Sequence, residues 1–333
     1  MTTPYPLSPD FRIGFADLRV SAADLTRPEC VLALQTGELI AAHGKGGYTH
    51  WRSGGSPRHV LAADGNPHGY VPNGIALSKR GIVLFANLGS ESGGIFGIDN
   101  NGAVEPVVET VDDAPMPPTN FVLEADDGAI WFTVSTRMRP RAQAWTRHVA
   151  DGFIGVADAK GSRIVADGLG YTNEIAFSPD QKWLYVNETY AQKISRFPLL
   201  PGAALGPKEL VCQLDGADFP DGLCFDAFGG VWITCVGSNR VIVVRPDGST
   251  QIVLEDLDAE YTAYLAARYH ANMLTPEDMA TTGKSRLKSV SSLVFGGPGR
   301  KTAWLGCLLG DTVLSFESPI AGAPTTNWNR SLR

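Results

Sequence analysis

Gly170–Thr189, GYTNEIAFSPDQKWLYVNET, reads as a β-hairpin: an apolar strand (Ile175, Ala176, Phe177), a polar turn (Ser178, Pro179, Asp180) and a second strand through Trp183, Tyr185 and Val186. The chain says nearly the same thing six times. Glu29-Cys-Val-Leu-Ala, Asn73-Gly-Ile-Ala-Leu, Asn120-Phe-Val-Leu-Glu, Asn173-Glu-Ile-Ala-Phe, Asp221-Gly-Leu-Cys-Phe and Ser291-Ser-Leu-Val-Phe align without gaps. Each leads, after a turn, into a second apolar strand: GELIAA, GIVLFAN, GAIWFTV, KWLYVNE, GGVWITC and KTAWLGC. Successive lead residues lie 44, 47, 53, 48 and 70 residues apart. Short β-branched and aromatic runs at this period, bounded by Gly, Pro and Asp, exclude a helical solenoid. They predict an all-β protein, a six-bladed β-propeller spanning residues 1–333 as one domain.

The lead residues are chemically odd for strands. Four of the six are Asn or Asp and one is Glu, types that strand interiors reject. In a propeller that register converges on the axis. Two carboxylates and three amides crowded there repel and lose hydration unless a cation joins them. An all-oxygen set favours a hard cation, calcium first, with magnesium or manganese as alternatives and zinc further behind. The six histidines show no HxxxH or HExxH spacing that would suit zinc.

Composition narrows the partners. With 19% charged residues, a net charge of −7 and no basic run, nucleic acid and anionic membrane are poor partners, and a small-molecule substrate is expected. No apolar run is long enough to cross a membrane. The N-terminus has neither the basic start nor the apolar segment of a signal peptide. Five cysteines without CxxC spacing (Cys30, Cys212, Cys224, Cys235, Cys307) read as reduced core residues of a cytoplasmic protein, monomeric or homodimeric. Residues 1–10 look like a mobile tail. The strand expected over Phe11–Val20 precedes the first repeat, so it should close the ring by pairing near Asp311–Ser318. Residues 256–289 break the pattern with helical spacing at Tyr261, Tyr264, Leu265 and Tyr269, and Thr275-Pro276-Glu277 starts a second helix. This insertion joins blade five to blade six on the face of the lead residues and is expected to act as a lid.

The segments RPECVLAL, PTNFVLEADDGAIWFT, GLGYTNEIAFSPDQKWLYVNET, FPDGLCFDAFGGVWIT and LVFGGPGRKTAWLG resemble the gluconolactonase/regucalcin (senescence-marker-protein) family. The resemblance covers nearly the whole chain. It implies a six-bladed propeller with one divalent metal in the central channel and hydrolysis of sugar lactones, with organophosphates as substrates of related propellers. It places Glu29, Asn173 and Asp221 on metal ligands, and Asn120 on a position that binds either metal or substrate. Sugar-lactone members often carry an Arg just ahead of the third-blade Asn, where this chain has Pro118 and Thr119.

The expected chemistry is metal-assisted opening of a cyclic ester, with Asp221 as ligand and general base. Organophosphate or ester hydrolysis, a lyase or isomerase step, and a non-catalytic calcium- or ligand-binding propeller are the alternatives. Ends of second strands nominate His43, Asn87, Arg137, Glu188 and Tyr190 for the pocket wall; loops before lead residues nominate Tyr70, Met116, Tyr171 and Phe219. Asn73, Asn120, Tyr171, Glu188, His43 and Arg137 are the substrate-binding candidates. Gly296-Gly-Pro-Gly299 and Glu124-Ala-Asp-Asp-Gly128 read as hairpin turns, not as phosphate or calcium loops. No Gly-x-Ser-x-Gly elbow occurs.

Overall fold

A computed structural model of the chain describes residues 4–89 and 92–333. Six antiparallel blades surround one axis, five of four strands and blade four with a short fifth strand, Ala204–Leu205. Each repeat supplies its blade from the axis outward. Blade one comprises Val31–Ala33, Glu38–His43, Gly47–Arg52 and Arg58–Leu61. Blade four comprises Thr172–Phe177, Trp183–Glu188, Lys193–Leu200 and Glu209–Gln213. Blade five comprises Pro220–Phe225, Val231–Cys235, Arg240–Val244 and Thr250–Glu255. Tight turns carry each hairpin, and the inner strands are buried on both faces because each is packed between two neighbouring blades. Aromatic side chains fill the wedges between blades: Trp232 of blade five meets Phe295 of blade six edge-on at 5.1 Å.

The ring closes as the leftover strand requires, through a later segment than the one expected. The pairing segment is Arg19–Ala22, with Arg19 opposite Ser315 and Val20 opposite Leu314, and not Phe11–Val20. Phe15–Asp17 forms a 3-10 turn instead, because Gly14 N–H is capped by the Asp17 carboxylate at 2.9 Å. The N-terminal stretch is also not free from Pro4 onward. Leu7 is buried, Tyr5 donates its hydroxyl to Asp226, and Gln251 Nε2 donates to the carbonyls of Ser8 (2.9 Å) and Phe11 (3.0 Å). Residues 1–3 lie outside the described residues.

The insertion between blades five and six forms helices α1 (Ala259–His270) and α2 (Pro276–Ala280). Asp258 caps α1 by accepting from Tyr261 N–H, and Thr275 with Asp278 forms a capping box on α2. Leu265 and Tyr269 of α1 bury against Tyr171, Tyr190 and Phe219, three loop residues on the face of the lead residues. The C-terminal segment crosses the opposite end. Asn327 accepts from Leu77 N–H at 2.8 Å, and Arg330 donates to the Glu124 carbonyl at 2.7 Å. Above this segment lies a cavity of about 640 Å³.

Inner strands of blades five and six approach each other closely. A Cβ on Gly222 would stand 2.5 Å from the Ser291 carbonyl oxygen and 2.8 Å from Ser292 Cα, both backbone atoms that cannot step aside. Gly222→Ala is therefore expected to cost about 1–3 kcal/mol of stability in urea unfolding. An unchanged midpoint would contradict the closeness of this contact.

Candidate metal centre on the propeller axis

Four lead residues sit in β-bulges, which explains how polar residues come to occupy strand positions. In blade two the pairing runs Pro72↔Asn87 then Ile75↔Phe85, leaving one extra residue at Asn73-Gly74. The same slip brackets Asn173-Glu174, Asp221-Gly222 and Ser291. A bulge bends the strand and re-aims its side chain, here onto the axis. Glu29 and Asn120 stand just before the first paired residues of their blades.

Hydrogen bonds from one blade to the next fix these side chains. Asn73 Nδ2 donates to Glu29 Oε1 and to the Asn120 carbonyl, both at 2.9 Å. Asn173 Nδ2 donates to Thr189 Oγ1 at 3.0 Å, and Thr189 in turn donates to the Pro220 carbonyl at 2.8 Å. Asn187 Nδ2 holds the Asp221 carbonyl at 2.8 Å. Ser291 Oγ donates to the Glu29 carbonyl at 2.8 Å, so its hydroxyl serves the ring.

After this accounting four oxygens of the lead residues remain, with Glu174 Oε1 and Asn187 Oδ1 also unpartnered beside them in sequence or hydrogen bonding. Glu29 Oε2, Asn120 Oδ1, Asn173 Oδ1 and Asp221 Oδ1 are buried and accept no hydrogen bond from the protein. One such orphan costs about 1–3 kcal/mol, so four on the convergent register are expensive unless something else satisfies them. Their donor chemistry fits a hard divalent cation: two carboxylates, two amide carbonyls, no thiol and no imidazole. Among the described residues no group of three or more His, Cys, Asp and Glu gathers anywhere, so amide oxygens are integral to this set. The electrostatics agree. Burial pushes the Glu29 carboxyl up to about 7, against the pull of Arg27, Arg141 and the Asn73 amide. Burial, with the Glu29 charge added, holds the Asp221 carboxyl well above the usual carboxylate range.

Tyr171, Tyr190 and Phe219 join to make an aromatic wall beside the ring. Tyr171 and Tyr190 meet edge-on at 4.8 Å, and Tyr190 lies 5.2 Å from Phe219. Tyr171 adopts φ +65°, a left-handed conformation rare for an aromatic residue, two positions before Asn173. Trp145 Nε1 donates to its hydroxyl at 3.1 Å.

Other wall candidates have partners of their own. Glu188 accepts from Gly170 N–H (2.9 Å) and Ser195 Oγ (2.5 Å) and pairs with Lys208 at 3.4 Å. Arg137 chelates the Asp167 carboxylate at 2.9 and 3.0 Å and stacks 4.6 Å over Phe153. His43 lies 5.0 Å from the His59 ring, and burial lowers its pKa to about 4. Tyr70 packs 4.8 Å from Phe96, Met116 is buried in the core between blades two and three, and Asn87 caps Val71 N–H at 2.9 Å.

Two site residues escaped the sequence reading. Arg27 Nη2 donates to Asn73 Oδ1 at 2.6 Å. Arg141, at the start of the 3-10 turn Arg141–Ala144, lies 5.5 Å from the Tyr171 ring centre. The position of Arg27, two residues before Glu29, was a usable signal; nothing in the sequence separated Arg141 from Arg137, Arg139 and Arg147.

The structure thus defines a six-bladed propeller with an axial cluster of oxygen donors. Residues 45–256 match the model of the SMP-30/gluconolactonase/LRE-like region, and the chain belongs to that family. Lactonase drp35 of Staphylococcus saprophyticus is 25% identical over 192 residues, covering 55% of this chain and 56% of the relative. The chain spans about half the length of the curated relatives it matches. Among solved structures, a gluconolactonase from Xanthomonas campestris superposes with a TM-score of 0.65 at 21% identity, covering 91% of this chain and 89% of that one. Regucalcin, a calcium-binding protein from Agrobacterium tumefaciens, gives 0.66 at 16% identity, covering 95% and 97%. At such identities these two likenesses establish the fold.

The raised Glu29 pKa has a definite sign in stability. A carboxyl lifted from its ordinary 4.5 to about 7 contributes stability below the lower value, and loses it as pH rises through the upper one. In EDTA, wild type should therefore lose about 2–3 kcal/mol between pH 5 and 8 relative to Glu29→Gln. Equal pH slopes in urea unfolding would contradict the placement of Glu29.

Proposed function

We propose that the protein is a metal-dependent hydrolase of cyclic esters, a lactonase. The observation that carries this reading is the set of four buried, unpartnered oxygens on Glu29, Asn120, Asn173 and Asp221. These residues would hold the cation, with calcium best matched to carboxylate and amide oxygens. When bound, a divalent ion supplies Lewis-acid polarisation of an ester carbonyl and acidifies nearby water.

The chain's own residues do the rest. Asp221 takes a proton from the attacking water as its oxygen bonds to the carbonyl carbon. The acyl carbon–oxygen bond of the ring then breaks, and the ring oxygen leaves as a hydroxyl carrying that proton. Asn73 keeps Glu29 and the third-blade backbone in place by its two donated bonds. Tyr171, backed by Tyr190 and Trp145, forms the aromatic wall beside the substrate ring and keeps bulk water from one side. Helix α1, packed on that wall through Tyr269, serves as the lid. The lactonase and gluconolactonase names of relatives support the reaction class, and the calcium-binding neighbour supports the metal. Five buried, unpaired cysteines suit a reducing cytoplasmic setting.

Proton release over a lactone panel tests the proposal. Wild type with calcium should turn over at least one lactone, EDTA should abolish turnover, and calcium should restore it. Asp221→Asn should fold normally and lose about 10²–10⁴-fold in kcat. Turnover indifferent to EDTA, or intact in Asp221→Asn, would overturn it.

A further inference from the structure

Arg27 and Arg141 both act electrostatically on Glu29 and Asp221, yet among the described residues neither meets a carboxylate at ion-pair distance. Arg27 spends its donors on neutral acceptors, Asn73 Oδ1 at 2.6 Å and the Pro72 carbonyl at 3.3 Å. Its backbone adopts φ +50°, so the chain bends to aim this side chain back across Glu29 towards blade two. Arg141 donates to Ser135 Oγ at 3.0 Å and lies beside the Tyr171 ring, while its Nε is buried without any partner. Several other buried or half-buried arginines find acids, Arg240 with Asp218, Arg163 with Asp158 and Arg330 with Glu124, whereas Arg245 and Arg300 also spend their donors on neutral acceptors.

The carboxylates nearest in effect are Glu29 and Asp221, and these are the two whose free oxygens suit the cation. Once a divalent ion cancels that pair, the two guanidinium charges have no counter-charge in the site. A partly desolvated cation without an anion is unfavourable by several kcal/mol. Guanidinium groups pair best with planar oxyanions. The adjoining surface is aromatic, which suits a small flat ring in place of a polyhydroxylated chain.

We propose that the substrate is a lactone bearing a carboxylate, with its anionic group held by Arg27 and Arg141 and its ring laid on Tyr171. The proposal rests on the hydrolytic reading above, deepens it to a substrate class, and makes Arg27 and Arg141 specificity residues.

Two measurements on calcium-loaded protein test it. The first is calorimetric binding of an inert isostere, cyclopentanone with a carboxylate at the carbon β to the ketone, against cyclopentanone itself. The second is turnover of γ-butyrolactone carrying a carboxylate on its γ carbon, against neutral γ-valerolactone. The carboxylated ketone should bind about tenfold or more tighter than cyclopentanone, and Arg141→Gln should remove about tenfold of that preference. Arg141→Lys, which keeps the charge, should retain part of it. The carboxylated lactone should be preferred in kcat/KM, with the Arg141→Gln loss falling mainly on KM. If Arg141→Gln fails to fold, wild type and Arg141→Lys decide on the same criteria. Equal binding of the two ketones, or an Arg141→Gln variant with unchanged preference, overturns the anion subsite. Equal opening of both lactones overturns it and leaves hydrolysis standing. Arg141-dependent ketone binding with neither lactone opened supports the subsite and counts against hydrolysis instead.

Discussion

Four buried oxygens without donors, on Glu29, Asn120, Asn173 and Asp221, are the constraint to which the rest of the molecule answers. A closed ring of blades forces six inner strands together, and whatever side chains they aim inward share one narrow space. Apolar residues would fill it as core. Acids and amides fill it at a cost of about 1–3 kcal/mol for each oxygen left unsatisfied, a cost that the proposed cation would offset. The surrounding hydrogen bonds serve that geometry. Asn73, Thr189, Asn187 and Ser291 each tie one blade to the next, so the spacing of the free oxygens is set before any ion arrives.

Much of this was legible because propeller repeats place equivalent residues at equivalent depth. The bulges at Asn73, Asn173, Asp221 and Ser291 left a trace in composition: a polar residue, in two cases with a glycine behind it, at the head of an apolar strand. The helix start at Thr275 was equally plain, since its capping chemistry is local. The same locality limited the strand-end expectations. Glu188 and His43 end second strands and Arg137 lies three residues beyond one, but their side chains are claimed by Ser195, Asp167 and His59, partners set by packing. Arg27 and Arg141 lie in connections outside the repeat, where periodicity has nothing to say. The terminal segments show the same limit. Tyr5 finds Asp226, and Arg330 finds Glu124, across more than 200 residues of sequence, and no spacing rule spans that distance.

The third-blade connection and the inserted helices act as one cap on the site. Trp145 stacks on Tyr190 at 5.6 Å, Tyr269 donates to the Tyr190 carbonyl, and Thr146 bonds Asn272 at 2.8 Å. Residues from blades three and four and from α1 therefore share one aromatic cluster, and Arg141 is placed by the same connection. The proposed substrate subsite and the proposed lid would thus share side chains, while the opposite mouth is covered separately by the C-terminal segment. Pro118 and Thr119 supply no cation ahead of Asn120; the charges in this chain come from blade one's entry loop and blade three's long connection.

The most direct test is crystallographic: manganese soaked into crystals of the protein, with anomalous difference density collected at the metal's absorption edge. A single strong peak on the propeller axis, bounded by Glu29, Asn120, Asn173 and Asp221 and abolished in Asp221→Ala, is the predicted result. An axis without a peak, or a peak held by other residues, would contradict the account.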